Sequence, residues 1–309
     1  MRAVVQRGNG APEVLRVEEW PVPERREGQV LIRTEAVGVP FYETQRRAGV
    51  FPGTGEPTVS GIESVGVVTE SGDPALIGRR VISMSYGGGG AAEFVASSDF
   101  TPIPDGLDAV DAVAAAIPAS VALVLLRTAN LAEGQTALVE AASGAIGGYL
   151  TRLASARGVR VVATVGTGRA AIARELGADV VLDHRDPDWR AQVPDGVDVV
   201  FETIGGPRAA EVLGKVRHGG RILVYGMLSG EFPAISAGDL IPRGLTLIGC
   251  GGLEAFGKDV AAARGEALEL VATGTLKPVI DRTYSFDEVA EAHKRVESRE
   301  GVGKVVLLP

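Results

Sequence analysis

The stretch Ala137-Leu-Val-Glu-Ala-Ala-Ser-Gly-Ala-Ile-Gly-Gly148 decides the fold of this chain. An apolar strand leads into a turn of small residues, and the turn opens a helical pattern over residues 145–157. Ala142, Gly144 and Gly147 occupy the three positions of the G-x-G-x-x-G fingerprint, with alanine in the first. This spacing lets the backbone turn tightly and approach a pyrophosphate at the N-terminus of a helix. The stretch therefore predicts a dinucleotide-binding unit.

Further apolar segments follow at the spacing of alternating strands and helices. They lie at residues 159–164, 180–182, 197–201, 221–225 and 245–248. The pattern predicts an α/β fold with a Rossmann doubly wound parallel sheet, and we place this domain at residues 113–253.

The end of the second strand indicates which dinucleotide is bound. An NAD site typically carries an acidic residue about 20 positions after the turn glycines, where it holds the ribose 2′-hydroxyl. Residues 164–169, Thr-Val-Gly-Thr-Gly-Arg, contain no carboxylate. The Thr167 hydroxyl and the Arg169 guanidinium suit a 2′-phosphate, so we predict NADP(H) rather than NAD(H). The alternative is that Arg169 is a solvated residue in the first turn of the next helix.

The predicted cofactor-binding residues belong to the turn, to the end of the second strand and to two later strand ends. They are Ala142, Ser143, Gly144, Ala145, Ile146, Gly147, Thr164, Gly166, Thr167, Arg169, Thr203 and Gly226.

Composition bounds the class of protein. The chain has 309 residues and a formal net charge of −8, so no nucleic-acid or anionic-membrane partner is expected. A single cysteine, Cys250, excludes an internal disulfide and a cysteine-rich zinc site. The N-terminus lacks the apolar core of a signal peptide, and we expect a cytoplasmic protein. The apolar run 109–126 is broken by Asp111, Pro118 and Ser120, which favours a buried helix over a membrane span.

Residues 1–110 show short strand patterns separated by glycine and proline, and they predict a mostly antiparallel β lobe. The strand segments are 3–5, 14–17, 29–38, 61–68 and 80–83. The tail predicts a helix at 260–272, a strand at 276–280, a helix at 287–297 and a last strand at 303–308. Ser285 and Glu288 fit a capping box at the start of that last helix. We expect the tail to return to the first lobe and the active site to lie in the cleft between the lobes.

The order and spacing of many sequence blocks resemble the medium-chain dehydrogenase/reductase superfamily, and within it the zinc-free quinone oxidoreductase (zeta-crystallin-like) branch. The blocks are 37–39, Glu43-Thr44, Ala48-Gly49, 61–68, 90–95, 115–118, 141–147, 201–206, 219–222 and 303–306. The resemblance implies a GroES-like catalytic domain at 1–112 and 254–309. It also implies a homodimer joined at the edge strand 243–249.

The metal positions of the zinc-dependent relatives are filled differently here. Those relatives use an early cysteine, a Gly-His-Glu block and a later cysteine or acidic ligand. Here residues 38–42 read Gly-Val-Pro-Phe-Tyr and the block reads Gly61-Ile62-Glu63, so only Glu63 remains, and we predict no bound metal. The three histidines, His184, His218 and His293, are scattered and are expected at surface or turn positions.

Without zinc, hydride transfer depends on positioning of the cofactor and a dry pocket. Tyr42, in a predicted loop at residues 38–42 that follows a strand, is the candidate donor to an enolate or quinolate oxygen, with Tyr86 and Gln45 as further catalytic candidates. An equally plausible role for Tyr42 is packing, with its hydroxyl at the rim of the site. The predicted substrate is a small molecule.

Three positions depart from the pattern of quinone oxidoreductases. Pro40 stands where they usually have asparagine, Gln45 where they often have tyrosine, and Glu140 where a histidine or small residue is common. A glutamate beside the pyrophosphate is repulsive unless it points elsewhere or is paired.

Three functions remain open at this point. The first is an NADPH:quinone reductase. The second is a biosynthetic enoyl reductase, for which Arg46-Arg47 would be an ambiguous basic patch. The third is a redox-silent NADPH-binding sensor or structural protein.

Overall fold

The computed structural model describes residues 1–51 and 57–309, which form two compact units. The first unit comprises Met1–Ile117 and Arg264–Pro309, and the second comprises Pro118–Ala263. A catalytic role for the first unit and a cofactor role for the second stay predictions at this stage.

The strands and helices are numbered in chain order. The strands are β1 Arg2–Gln6, β2 Leu15–Glu19, β3 Val30–Val39, β4 Thr58–Val59, β5 Glu63–Ser71, β6 Arg80–Met84, β7 Phe94–Ser97, β8 Phe100–Pro102, β9 Thr136–Val139, β10 Arg160–Val165, β11 Val180–Asp183, β12 Val197–Glu202, β13 Val216–Val224, β14 Thr246–Gly249, β15 Ile280–Ser285 and β16 Lys304–Leu308. The α-helices are α1 Phe41–Ala48, α2 Ala109–Ala129, α3 Ala145–Ser155, α4 Ala170–Glu175, α5 Trp189–Gln192, α6 Ala237–Leu240, α7 Gly257–Ala272 and α8 Val289–Ser298.

The second unit is built on a parallel sheet with the strand order β11-β10-β9-β12-β13-β14. The order reverses between β9 and β12, and in doubly wound sheets ligands bind outside the carboxyl ends of the strands at this point. The predicted Rossmann sheet is confirmed. On α3, Leu150 and Leu153 are buried against the sheet, as the helical pattern predicted.

The first unit is built on a largely antiparallel sheet with the order β15-β16-β3-β5-β6-β8, to which β7 adds by pairing with β3. The C-terminal strand β16 lies antiparallel to β3, so the tail returns to the N-terminal part of the chain. The capping box of Ser285 and Glu288 is present and precedes α8.

The prediction of a strand at 276–280 was wrong, because that segment closes the end of α7. The Leu276 amide donates to the Leu270 carbonyl at 2.8 Å, and the Leu276 side chain is buried. Pro278 has no amide hydrogen for a strand ladder. The strand begins only at Ile280.

The apolar run predicted as a buried helix forms α2. By length and composition α2 could cross a membrane, but 78% of its most apolar window is buried inside the protein. Such burial is typical of a core helix, whose apolar side chains pack inside the protein.

His293 corrects one sequence expectation, because it lies in the core rather than at the surface. It is 1% exposed on α8, and no group among the described residues hydrogen-bonds to its Nδ1. Burial, and then the charge of Arg47, lower the pKa of His293 to about 3. The native protein therefore holds this imidazole neutral.

We expect His293 to weaken the fold in mild acid. Below its ordinary pKa of about 6.5 the unfolded chain binds a proton that the native state excludes until about pH 3. As the pH falls through this window, protonation of this group in the unfolded chain lowers the free energy of unfolding by about 1.4 kcal/mol per pH unit. In urea denaturation from pH 7 to pH 4, His293→Leu should lose less stability than the wild type. The exposed His218→Leu serves as control, and equal slopes in all three proteins would contradict the assignment.

Candidate active site

The turn after β9 leads into the start of helix α3, which has no side-chain cap. Ala141 adopts a left-handed conformation with φ +50°, and the Gly144 amide donates to the Ala141 carbonyl at 2.8 Å. Helix α3 begins at Ala145, with Gly144 as its N-cap and no side-chain cap. The amides of this first turn, which includes the predicted residues Ile146 and Gly147, are thus available to an anion. Ser143 is buried within the turn.

Thr164, predicted as a cofactor contact, anchors the turn. Its carbonyl accepts the Ala142 amide at 2.9 Å, and its hydroxyl accepts the Ala141 amide at 3.3 Å. The Thr164 side chain is 2% exposed. These bonds fix the turn to the neighbouring strand β10, so the helix start is preorganised.

Gly147 is required because helix α3 packs directly on this turn. A Cβ at position 147 would collide with the Ala141 carbonyl oxygen and would lie 2.8 Å from its carbon and 2.9 Å from the Ala142 Cα. At the next position, Gly148, a Cβ would lie 3.5 Å from the nearest atom, Cδ1 of Leu176, which is ordinary contact.

Gly147→Ala should therefore displace the turn at which the cofactor phosphates are predicted to bind, whereas Gly148→Ala should not. Overpacking of this kind costs about 1–3 kcal/mol, and we expect NADPH binding to weaken by roughly tenfold or more. The dissociation constants of the two variants, measured by calorimetry, test this. Equal binding by both variants would show that the close approach does not matter.

The loop between β10 and α4 carries the other predicted cofactor residues. Gly166 and Arg169 are half-buried, and Arg169 directly precedes α4. The Thr167 hydroxyl donates to Asp183 at 2.6 Å, and this bond, with the Arg185 amide, lowers the pKa of Asp183. Sequence reasoning missed this carboxylate because it arrives from β11, where Asp183 lies beside Val165 of β10.

The sheet brings Thr203 and Gly226 together at the same edge as the turn. Thr203 follows β12 directly, and Gly226 lies two residues beyond β13. A Cβ on Gly226 would collide with the Thr203 hydroxyl, so the two residues are in close contact. Both lie at the carboxyl ends of the parallel strands.

Glu140 lies beneath this edge, and the structure explains how it is tolerated. Its Oε2 accepts the amides of Thr203 at 3.2 Å and Ile204 at 3.4 Å. Burial, and then the charge of Glu202, raise the pKa of Glu140 to about 8. The raised pKa favours the protonated form of Glu140 at neutral pH, which lessens its repulsion of a pyrophosphate.

Tyr42, a candidate catalytic residue of the first unit, lies on a helix rather than on the predicted loop 38–42. Strand β3 continues to Val39 and α1 begins at Phe41, which places Tyr42 in the first helical turn. Tyr42 is 43% exposed, and its ring centroid lies 5.0 Å from that of Phe51. Gln45 follows one turn later, and its amide lies 3.5 Å from the Thr44 hydroxyl.

Strand register places Tyr86 at the same edge of the sheet as Tyr42. Gly38 of β3 pairs with Glu63 of β5, and Glu63 pairs with Met84 of β6. Both pairings are antiparallel, so β3 and β6 run in the same direction and end together. Tyr86, two residues past β6, is 39% exposed, and burial raises its pKa.

Both family matches and whole-chain relatives were found. Residues 26–105 match the alcohol dehydrogenase GroES-like domain, and residues 176–307 match the zinc-binding dehydrogenase family. Human quinone oxidoreductase is 32% identical, over 100% of this chain and 98% of the relative. The Thermus thermophilus quinone oxidoreductase, also solved with NADPH, is 32% identical with a TM-score of 0.85 over both whole chains. A mycobacterial protein solved with NADPH is 29% identical with a TM-score of 0.90, again over both whole chains.

The chain belongs to the medium-chain dehydrogenase/reductase superfamily, in its quinone oxidoreductase branch. The predicted family is thus confirmed. Pro40, one of the three departures noted in the sequence, is the N-cap of α1 and makes no side-chain cap.

The zinc site that one family description implies has no donor set in the described parts of the chain. No group of three or more histidine, cysteine, aspartate or glutamate residues there could hold a metal ion. Glu63, which occupies a position of the zinc block, instead forms a buried ion pair with Lys304. The pair packs on Gly38, where a Cβ would collide with the Glu63 carboxylate.

Proposed function

We propose that this chain transfers a hydride from NADPH to a quinone or another conjugated carbonyl compound without zinc. The observation that carries the proposal is the uncapped helix start at the switch point of the parallel sheet, in a chain of the quinone oxidoreductase branch. The chain is an NADPH-dependent oxidoreductase; the acceptor class, the zinc independence and the residue roles are the proposed parts.

NADPH fits the residues of the second unit. The cradle left free by Gly147, with the first amides of α3, would hold the pyrophosphate. Arg169 and the loop amides would hold the 2′-phosphate, and Thr203 and Gly226 would contact the nicotinamide end. When bound, the nicotinamide supplies the hydride, and the protein supplies orientation and exclusion of water.

The acceptor must tolerate reduction without a Lewis acid. A quinone or enone spreads the developing negative charge over a conjugated system, so a hydrogen-bond donor suffices. Tyr42 would donate its hydroxyl proton to the substrate oxygen. Tyr86 and Gln45 would line the pocket. The Lys304 ammonium is engaged with Glu63 in the core, so it is not a donor to substrate.

The experiment follows NADPH oxidation spectrophotometrically against a panel of quinones, enones and enoyl thioesters, with and without a chelator. We expect turnover of quinones that the chelator does not change. Loss of activity on chelation would overturn the zinc-independent mechanism.

The alternatives make different predictions in the same assay. Preference for enoyl thioesters would favour an enoyl reductase, but Arg47 is 2% exposed and bonded to Glu297 and the Gly10 carbonyl. Of the basic pair Arg46-Arg47, Arg47 is therefore not available to a phosphopantetheine arm. Binding of NADPH without oxidation by any acceptor would instead favour a redox-silent sensor.

Cofactor preference tests Arg169. We expect NADPH to bind more tightly than NADH, and Arg169→Ala to weaken NADPH by about 1.5–3 kcal/mol through loss of a charge-assisted contact. NADH binding should hardly change. The exposed Arg174→Ala, on the helix α4 that Arg169 precedes, is the matched control for net charge. Equal wild-type affinity for the two cofactors would contradict the assignment.

Tyr42→Phe tests the proton donor. The variant keeps the ring that packs near Phe51 and removes only the hydroxyl, so kcat should fall by roughly 10–10³-fold with little change in KM. The loss should be smaller for quinones than for enones, whose enolate needs the donor more. Steady-state kinetics on both acceptor classes measure it, with Tyr284→Phe as a control outside the site. An unchanged kcat on every acceptor would remove Tyr42 from the mechanism.

A homodimer is proposed because β14 lies at the edge of the parallel sheet, where Leu247 is 39% exposed. Pairing of two edge strands about a twofold axis would cover this surface. Light scattering should show a dimer that Leu247→Lys converts to monomer, whereas Ile77→Lys, at another exposed apolar position, leaves it intact. A wild-type monomer at all concentrations would refute the proposal.

We also propose a cytoplasmic location. Cys250 is buried and unpaired, and burial raises the pKa of its thiol to about 11. A protonated, sheltered thiol is inert and needs no oxidising compartment.

A further inference from the structure

Two glutamates meet where the strand order of the parallel sheet reverses. Strands β9 and β12 are neighbours, with Val139 opposite Phe201, so the next residues, Glu140 and Glu202, lie side by side. Glu140 is 4% exposed and Glu202 is 1% exposed. Two carboxyl groups are therefore buried together beneath the edge at which the cofactor is proposed to bind.

The hydrogen bonds of Glu202 leave one of its carboxyl oxygens without a partner. Glu202 Oε1 accepts the Gly205 amide at 2.5 Å, while Glu202 Oε2 is buried and has no hydrogen-bond partner among the described residues. Glu140 is the neighbouring carboxyl group on the adjacent strand. Two buried carboxylates this close repel each other when both are ionised, so their proximity favours one proton held by the pair.

The pair holds one short segment of backbone in place. Glu140 accepts the Thr203 and Ile204 amides, and Glu202 accepts the Gly205 amide, so residues 203–205 are bonded to the pair at every amide. Gly205 has φ +73°, and a Cβ there would collide with the Glu231 carbonyl. This segment begins with Thr203, which contacts Gly226.

We propose that Glu140 and Glu202 share a single proton and act as positioning residues, so that NADPH binds best while the pair is protonated. The inference rests on the proposed function, because it assigns the pair to the cofactor site described there. It goes further by making cofactor affinity depend on one buried proton.

Among the described residues, no cation bonds directly to the pair, so none would compensate a second negative charge on it. The positive charge of Arg190, on α5, acts to lower the raised pKa of Glu140. However, Arg190 pairs with Glu211 at 3.4 Å and lies over the Trp189 ring at 4.4 Å. The hydroxyl of Tyr225, after β13, is buried, and burial raises its pKa, so it stays neutral. Loss of the shared proton would leave two adjacent buried anions beneath a pyrophosphate.

The direction of the pH dependence follows from linkage. Burial and the charge of Glu202 raise the pKa of Glu140 to about 8 in the free protein. The added negative charge of NADPH raises it further, so binding above pH 8 takes up a proton. The dissociation constant should therefore rise by about tenfold between pH 7.5 and pH 9.5.

The test measures NADPH binding by calorimetry at pH 7.5, 8.5 and 9.5. This range avoids the second ionisation of the 2′-phosphate, which lies near pH 6. At pH 8.5, two buffers with different ionisation enthalpies count the protons taken up. NADH, which lacks the 2′-phosphate, should show the same slope.

Glu140→Gln mimics the protonated residue, because its amide oxygen can accept from Thr203 and Ile204 while its NH2 donates to Glu202. Its NADPH affinity should be flat with pH and should take up no proton. Glu175→Gln, at an exposed position in the same unit, should retain the wild-type slope.

Three results would overturn the proposal: a flat wild-type profile, an unchanged slope in Glu140→Gln, or no proton uptake by the wild type. Should Glu140→Gln fail to fold, the wild-type proton count alone decides. Absence of NADPH binding at every pH would overturn the proposed function as well. Tight binding and turnover with a flat profile would overturn this inference only.

Discussion

The close packing of Gly147 on the Ala141 carbonyl is the constraint on which the cofactor site depends. It allows α3 to begin directly on the turn after β9, and so it brings the helix amides to the carboxyl edge of the sheet. Thr164 holds the same turn from the neighbouring strand through two hydrogen bonds. The left-handed conformation of Ala141 costs free energy that these contacts offset.

Local patterns in the sequence predicted the elements well, because their signals are local. The apolar spacing located the parallel strands and α3, and Ser285 with Glu288 located the start of the last helical segment. The prediction of a strand at 276–280 was wrong, because the start of this segment is hydrogen-bonded to the end of α7. Apolar runs of this length do not distinguish a strand from a buried connection.

Properties that depend on neighbours in space could not be predicted. The partner of Glu140 comes from a strand some 60 residues later, and Asp183 reaches Thr167 only because β11 lies beside β10. His293 gave no sign of its burial, since a lone histidine on a polar helix looks exposed. Once the order of the strands in the sheet is known, the partner of Glu140 and the contact of Asp183 with Thr167 can both be predicted. The carboxyl ends of adjacent parallel strands lie side by side.

In the buried pair of Glu63 and Lys304, the first unit carries its own positive charge opposite Glu63. A metal ion at such a place dissociates, competes with other metals and must be delivered. An ammonium group on a lysine is synthesised with the chain and cannot be exchanged. The positive charge that faces Glu63 is therefore present in every folded copy from the moment of folding, whatever the metal content of the cell.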